Sequence, residues 1–265
     1  MIPQLTGRRT SVGRIAYLNT DPFFEALDLG DAEVVAAPPR ELARLCREGR
    51  LDAGALPVAE LFRMEEAFEP LGQMGIAVAG PVDSVLCFAR VPFEQLGGRE
   101  VALTADSSTS VCLLRLLLEQ HLGARPAAYR RGPAERADAF LAIGDTALRL
   151  GHAGAAGFPH VLDLARAWQA WQGLPFVFAR WAVRRALPEA EKRALAVALS
   201  QALDRGLERA GDIAARRSPD LGVPAASLEA YLRRFRYRFG EEEARAEARF
   251  RQLLHDHHLD GFDPR

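Results

Sequence analysis

Four consecutive hydroxyl side chains make residues 104–111, T-A-D-S-S-T-S-V, the strongest candidate for an anion site. This segment follows a predicted strand and opens a predicted helix, whose first backbone N–H groups have no partner inside the helix. Helix N-termini rich in Ser and Thr bind carboxylates and phosphates, whereas simple capping needs one hydroxyl. We therefore predict that Ser107, Thr109 and Ser110 bind an anion. The sequence has no G-x-x-x-x-G-K-[ST] and no G-x-G-x-x-G after a strand, which favours a carboxylate over a nucleotide phosphate.

Two further polar segments follow predicted strands. Asn19 and Thr20 lie in Y-L-N-T-D-P-F-F, at the carboxyl end of the first strand, where open α/β sheets bind ligands. The same residues also suit a turn and helix start, with Pro22 at the first helical position. Gly144 and Asp145 in I-G-D end a strand and open a helix, where Asp145 could be an N-cap alone. Both structural alternatives stay open at this point.

Composition and charge exclude several classes of function. The chain has 265 residues, 49% hydrophobic and 26% charged, which excludes a disordered protein. Its 34 basic and 35 acidic side chains give a net charge of -1, so we expect no nucleic-acid partner. The single lysine, Lys192, is predicted to lie at the exposed start of a helix, which disfavours Schiff-base chemistry.

Cysteines and histidines offer no clear cofactor site. Cys46, Cys87 and Cys112 lie in apolar runs and are predicted to be reduced core thiols. The run 255–258, H-D-H-H, resembles a metal cluster, but adjacent residues on a helix point in different directions. We predict no metal site and no cofactor. The first residues hold no apolar signal-peptide core and no later stretch approaches 18 apolar residues, so we expect a cytoplasmic protein without a membrane partner.

Short apolar runs alternate with helical patterns through the first two thirds of the chain, which predicts an α/β fold with a parallel sheet. The predicted strands are 13–18, 32–36, 51–56, 84–89, 100–104, 140–143, 160–164 and 176–183. The predicted helices are 40–47, 109–122, 189–217, 226–239 and 241–259, the last three forming a helical C-terminal region.

Two long apolar segments predict how the chain divides into domains. Residues 84–90 and 175–183 bracket about 90 residues of self-contained alternation and are predicted to be hinge strands. Lobe 1 would comprise 1–90 and 181–265, with the C-terminal helices, and lobe 2 the inserted residues 91–180. We expect a cleft suited to a small ligand, with Trp181 as one candidate wall.

Five motifs, in order along the chain, resemble one family: the menaquinone-biosynthesis chorismate dehydratases of the futalosine route. The resemblance implies a two-lobed α/β fold like the type II periplasmic binding proteins, with a central cleft. It also implies a carbon-oxygen lyase that dehydrates chorismate to 3-[(1-carboxyvinyl)oxy]benzoate without metal, flavin or nicotinamide. The motifs are R-I-A-Y-L-N-T-D-P-F (14–23), G-P-V-D-S-V-L (80–86), T-A-D-S-S-T-S-V-C-L-L-R (104–115), I-G-D-T-A-L (143–148) and G-L-P-F-V-F-A-R-W (173–181).

The resemblance also implies the site residues. Asn19 would be the catalytic residue, holding the substrate in a reactive conformation while a carboxylate of the substrate takes the proton. Arg180 stands where the family has an apolar residue, and we expect it to face solvent. The implied substrate-binding residues are Thr20, Ser84, Ser107, Thr109, Ser110, Gly144 and Asp145.

Two other functions remain open from the sequence. A non-catalytic receptor or sensor for a small carboxylate would share the fold, although an exported receptor normally carries a leader. The related 1,4-dihydroxy-6-naphthoate synthase would share fold and pathway, with a different N-terminal motif. The expected partner is a small dicarboxylate, chorismate, bound by a monomer or homodimer.

Overall fold

The computed structural model describes residues 9–262 and divides the chain into two compact α/β units. The first consists of the described residues of Met1–Ile76 together with Phe178–Gly240. The second consists of Ala77–Val177 together with the described residues of Glu241–Arg265.

The described residues form the following strands and helices, numbered in chain order. The strands are β1 (Ser11–Ile15), β2 (Glu33–Ala37), β3 (Ala53–Pro57), β4 (Phe68–Val78), β5 (Val85–Ala89), β6 (Glu100–Leu103), β7 (Ala128–Arg131), β8 (Ala139–Ile143), β9 (His160–Asp163), β10 (Phe176–Arg184) and β11 (Arg236–Arg238). The α-helices are α1 (Asp21–Phe24), α2 (Pro39–Arg47), α3 (Val58–Arg63), α4 (Thr109–Leu116), α5 (Gly144–Ala153), α6 (Leu164–Gln172), α7 (Glu189–Glu208), α8 (Ala210–Leu221), α9 (Ala225–Arg234) and α10 (Glu241–Asp256).

The first unit is built on a six-stranded sheet with the order β11-β4-β10-β3-β1-β2. Strand β1 pairs in parallel with β2 and β3, and β10 pairs antiparallel with β3. A 3-10 turn at Leu18–Thr20 follows β1 and leads into α1. The candidate residue Asn19 therefore lies just beyond the carboxyl end of a central parallel strand.

The second unit is built on a five-stranded sheet with the order β7-β6-β8-β5-β9. Strand β6 pairs in parallel with β7 and β8, whereas β5 runs antiparallel to both β8 and β9. The carboxyl ends of β6, β8 and β9 and the amino end of β5 consequently lie at one edge of the sheet. This edge is called the site edge below.

All eight predicted strands are present, with ends within three residues of those predicted, and β4, β7 and β11 were not predicted. Strand β4 contains Pro70, Gly72 and Gly75, residue types that strands disfavour. The predicted helix 226–239 is α9 followed by β11, and the predicted helix 109–122 is α4 followed by a π turn at Leu117–His121. Tertiary pairing thus overrides the local preference of short segments.

The domain boundaries differ from those predicted. The chain enters the second unit within β4, at Ile76/Ala77, and leaves it within β10, at Val177/Phe178, inside the predicted segment 175–183. The other predicted hinge, 84–90, is instead β5, an inner strand paired on both sides. A hinge motion itself stays a prediction.

The C-terminal helix α10 belongs to the second unit, not to lobe 1 as predicted. The Phe250 ring packs against Trp168 and Phe176, with centroids 6.0 and 5.0 Å apart. Arg249 also donates a hydrogen bond to Gln172 at 2.8 Å. The sequence pattern identified the helix but did not reveal which core buries its apolar face.

The predicted exposure of Lys192 is wrong, whereas the predicted burial of the three cysteines is confirmed. Lys192 is 8% exposed and its Nζ lies 2.6 Å from Glu69 and 2.7 Å from Glu189, so it is buried and ion-paired, not exposed. Cys46, Cys87 and Cys112 are buried free thiols, as predicted. Among the described helices, none has the length and apolarity needed to cross a membrane.

Candidate active site

The site edge of the second unit brings together three of the predicted segments. Ser84 precedes β5, residues 107–110 follow β6, and Gly144 follows β8. The backbone N–H of Gly144 donates to the carbonyl oxygen of Ser84 at 2.7 Å. Gly144 has φ +58°, in the left-handed region that favours glycine, which explains the residue type in I-G-D.

The hydroxyl segment is buried at the start of α4. Ser107, Ser108, Thr109 and Ser110 are each at most 5% exposed. The Ser107 Oγ accepts a hydrogen bond from the backbone N–H of Ser110 at 3.0 Å, which is the helix cap of the structural alternative. The Ser107 O–H can still donate to a ligand while its oxygen accepts from Ser110. The anion-site prediction is thus compatible with a cap.

Asp145 is not an N-cap. Helix α5 begins at Gly144, its N-cap is Ile143, and no side chain caps it. Asp145 lies in the first turn, where the helix dipole favours a carboxylate. The N-cap alternative is therefore wrong. The Asp145 side chain is half-buried at the site edge, and its role in substrate binding stays a prediction.

Asp163 is a residue of the site edge that the sequence analysis missed. Its Oδ2 accepts from the backbone N–H groups of Val82 and Asp83 at 2.9 and 2.8 Å. Its Oδ1 accepts from Ala165 and Arg166 at 3.1 and 3.0 Å, capping α6. Burial raises the pKa of Asp163, and these N–H groups lower it by less. The pattern L-D-L-A-R could have indicated the helix cap but not the second pair of bonds.

In the first unit, Asn19 and Thr20 occupy the 3-10 turn after β1. The Thr20 hydroxyl donates to the carbonyl oxygens of Ile15 (2.6 Å) and Tyr17 (3.0 Å), and Thr20 is fully buried. Because its one proton is used within the protein, Thr20 is better placed to hold the turn than to donate to a substrate carboxylate.

Ion pairs and a close helix contact fix α1, which follows the turn. Asp21 is buried and pairs with Arg14 at 2.8 Å and Arg217 at 2.9 Å. A Cβ atom on Gly206 of α7 would lie 2.0 Å from the carbonyl oxygen of Pro22, so these backbones touch. The sequence predicted a turn at N-T-D-P, but it did not predict the pairing of Asp21 with Arg217, which lies 196 residues away.

Three buried polar atoms near α1 lack a hydrogen-bond partner within the part of the chain that the structure describes: Asn19 Oδ1, Trp181 Nε1 and Tyr237 Oη. The Phe23 ring packs against both aromatic residues, 5.4 Å from Trp181 and 5.5 Å from Tyr237. Burial raises the pKa of Tyr237, so its phenol stays neutral. Buried polar groups are usually paired, and unpaired ones are enriched at functional sites.

Arg180 is not the solvent-facing residue that we expected. It is 8% exposed, donates to Gln73 Oε1 at 2.6 Å, and its guanidinium lies 5.5 Å from the centre of the Phe239 ring. Strand β10 is an inner strand of the six-stranded sheet, and seven of its nine residues, with side chains on both faces, are buried. The position therefore suits a paired, ring-stacked cation.

The histidine run forms no metal centre. His255 is exposed and its Nδ1 lies 3.6 Å from Asp260, and the other members lie at or beyond the end of α10. Among the described residues no group of three His, Cys, Asp or Glu side chains could hold a metal ion.

Comparisons with known proteins identify the family. A sequence profile described as menaquinone biosynthesis matches residues 10–256. The chorismate dehydratase of Thermus thermophilus is 34% identical over 249 residues, which cover 88% of this chain and 90% of that enzyme. This chain belongs to the menaquinone-biosynthesis family that includes the chorismate dehydratases. The resemblance found in the sequence motifs is confirmed.

Solved structures confirm the predicted fold. An Archaeoglobus fulgidus protein has a TM-score of 0.78 at 16% identity, covering 96% of this chain and 99% of that one. The periplasmic aliphatic sulphonate binding protein of Escherichia coli has a TM-score of 0.64 at 15% identity, covering 97% and 95%. A Candida albicans protein described as having the generic periplasmic binding protein fold scores 0.59 at 11% identity, covering 97% and 92%.

Proposed function

We propose that this protein is a hydro-lyase that dehydrates chorismate to 3-[(1-carboxyvinyl)oxy]benzoate in menaquinone biosynthesis. The observation that carries the proposal is the 34% identity to a chorismate dehydratase across 88% of this chain and 90% of that enzyme. The family profile, which matches residues 10–256, includes all the segments to which the sequence assigned site residues.

The chemistry demands little beyond orientation and charge stabilisation. The ring carbon that bears the enol ether loses a proton, the C–O bond to the neighbouring hydroxyl breaks, and the two fragments leave as one water molecule. The ring becomes aromatic, which drives the reaction. We assign the proton transfer to the carboxylate of the enolpyruvyl group, since the substrate itself carries this base next to the ring; Asp145 is the one carboxylate among the assigned site residues and is the alternative base.

Residues of the second unit supply donors for the ring carboxylate. As the proton leaves, negative charge spreads through the ring diene toward this carboxylate. Fixed donors stabilise the transition state more than the ground state, because they require no reorganisation when charge develops. In this proposal Ser107, Thr109 and Ser110 hold the ring carboxylate, and Ser84 donates to a carboxylate or to the departing hydroxyl.

Asn19 orients the substrate in this proposal. Its Oδ1 is a buried acceptor with no partner among the described residues, so in this scheme it accepts from the ring hydroxyl of the substrate while the amide N–H group donates to the enolpyruvyl carboxylate. Holding the enolpyruvyl carboxylate beside the proton it removes converts an improbable encounter into a fixed geometry. Thr20 acts indirectly in this scheme, by fixing the turn that carries Asn19.

Incubation of the purified protein with chorismate tests the proposal. We expect one molecule of the aromatic product for each chorismate consumed, at a rate above the background measured without protein. Liquid chromatography with mass spectrometry measures both compounds. Binding of chorismate without conversion would support the receptor alternative, and inertness toward chorismate would support the naphthoate synthase alternative. The cytoplasmic location and the monomeric or dimeric state stay predictions.

A further inference from the structure

The loop before Ser84 has a strained backbone that needs external support. Asp83 has φ +56°, a left-handed conformation that non-glycine residues rarely adopt. Asp tolerates this conformation better than most residues, but it persists only where the surrounding structure holds it. The loop, residues 82–84, leads directly into β5.

One carboxylate provides that support. Asp163 Oδ2 accepts from the N–H groups of both Val82 and Asp83, at 2.9 and 2.8 Å. The carbonyl oxygen of Ser84 then accepts from Gly144 at 2.7 Å. The backbone is therefore fixed on both sides of the buried Ser84 hydroxyl, by β9 before it and by α5 after it.

We infer that Asp163 is a positioning residue for the dehydration, acting through the Val82–Ser84 loop to place the Ser84 hydroxyl. This inference rests on the proposed function, in which Ser84 contacts the substrate. Capping α6 requires only Oδ1, which accepts from Ala165 and Arg166. A serine or asparagine would cap that helix equally well, so a purely structural role does not explain the second pair of bonds.

Asp163→Ser separates the two tasks. Serine is a good N-cap, but its single oxygen on a shorter side chain cannot reach both segments. We expect kcat/KM to fall by about tenfold or more, the scale on which a small displacement of a reacting group matters. The melting temperature should fall as well, because the Val82 and Asp83 N–H groups lose their acceptor, so the double-mutant cycle below decides between positioning and general destabilisation. The matched control is Asp138→Ser at the opposite edge of the same sheet, where Asp138 pairs with Arg99 at 2.9 Å, and its kcat/KM should equal that of the wild type.

A double-mutant cycle with Ser84→Ala tests whether Asp163 affects turnover through the Ser84 hydroxyl. If Asp163 acts through the Ser84 hydroxyl, Asp163→Ser should lower kcat/KM by no more than about twofold in the Ser84→Ala background, because coupled residues are not additive. If the fall in kcat/KM of the double variant equals the product of the falls in the two single variants, the inference is overturned. If Asp163→Ser does not fold, Asp163→Asn, which keeps the side-chain volume and one acceptor oxygen, is carried through the same cycle.

Amide hydrogen exchange measures how firmly the backbone of the Val82–Ser84 loop is held, independently of turnover. We expect peptides covering residues 80–86 to exchange faster in Asp163→Ser than in Asp138→Ser. Unchanged exchange would overturn the inference even if activity fell. A wild-type protein that does not convert chorismate would overturn the proposed function, and the exchange data would still decide whether Asp163 holds the loop.

Discussion

Asn19 and Thr20 are adjacent in one turn, yet their side chains are used differently. The Thr20 hydroxyl is committed to two backbone carbonyls, whereas Asn19 Oδ1 has no partner among the described residues. Asn19→Ala should lower kcat by about 100-fold, the cost of losing a reactive geometry, with little change in melting temperature. Thr20→Val should instead lower the free energy of unfolding by about 1–3 kcal/mol, because buried carbonyls lose their donor. Steady-state kinetics and thermal melts of both variants test the contrast, which near-normal turnover by Asn19→Ala would contradict.

For the hydroxyl side chains at the start of α4, effects on stability and effects on binding can likewise be measured separately. Ser107 Oγ caps the helix, so Ser107→Ala should lower stability by about 0.5–2 kcal/mol. Thr109→Ala and Ser110→Ala should each weaken binding of the aromatic product by about 1.5–3 kcal/mol, the value of a charge-assisted hydrogen bond. Calorimetry on the folded variants measures the affinity. Unchanged product affinity in both variants would mean that α4 is capped but binds no carboxylate.

The buried thiols give a prediction independent of the proposed reaction. Desolvation raises the pKa of Cys46 to about 12 and also raises the pKa of Cys87. At about pH 8 the thiolate fraction of Cys46 is therefore about one in ten thousand, and thiolate is the reactive form. We expect none of the three cysteines to react rapidly with a thiol reagent in the native protein, and all three to react in denaturant. A fast-reacting thiol in the native protein would contradict the burial of that side chain.

The same pKa shift makes stability depend on pH. Since the folded pKa of Cys46 lies above its ordinary value of 9.0, the unfolded chain ionises first as the pH rises. The contribution of Cys46 is complete below about pH 9 and is lost as the pH rises toward 12. Urea midpoints measured at rising alkaline pH should fall less steeply for Cys46→Ala than for the wild type.

At the scale of elements, the placement of α1 depends on a close backbone approach. The Cβ of Gly206→Ala would lie 2.0 Å from the Pro22 carbonyl oxygen, which as backbone cannot rotate away. We expect α1 and α7 to separate, at a cost of about 1–3 kcal/mol, and kcat to fall because Asn19 lies in the turn that leads into α1. The control is Gly211→Ala in α8, whose Cβ would meet Glu229 at an ordinary 3.4 Å. Equal melting temperature and kcat for the two variants would refute the prediction.

The sequence predicted elements better than it predicted their partners. Strands made mainly of apolar residues, such as β5 and β10, were located within one residue of their observed ends. Strand β4 was missed because Pro70 and its glycines contradict local strand preference, and long-range pairing alone makes it a strand. Likewise, Asp163 was missed because two of its four partners lie 80 residues away. The pattern of residue types along a chain predicts local structure, but it does not predict contacts between residues that are distant in the sequence.

At the scale of the whole molecule, the fold does not distinguish an enzyme from a receptor. The chain shares its fold with a sulphonate-binding protein at 15% identity, so the two lineages place different side chains on one architecture. The proposed activity depends on the similarity to a dehydratase at 34% identity and on the side chains of the site edge and the turn at Asn19. Function is therefore best tested through the reaction rather than the fold.

The reaction itself predicts that turnover needs no added cofactor. Loss of water from chorismate is redox-neutral, so no electron acceptor enters its balance, and aromatisation supplies the driving force. In the proposed mechanism, fixed donors at α4 stabilise the developing charge, a task that metals perform in other enzymes. We therefore expect protein dialysed against a chelator to convert chorismate at the same rate as untreated protein, with metal content checked by elemental analysis. Turnover that is lost on chelation and restored by a divalent metal would contradict this scheme, and substitution of His255 and His257 would then show whether the C-terminal histidines hold that metal.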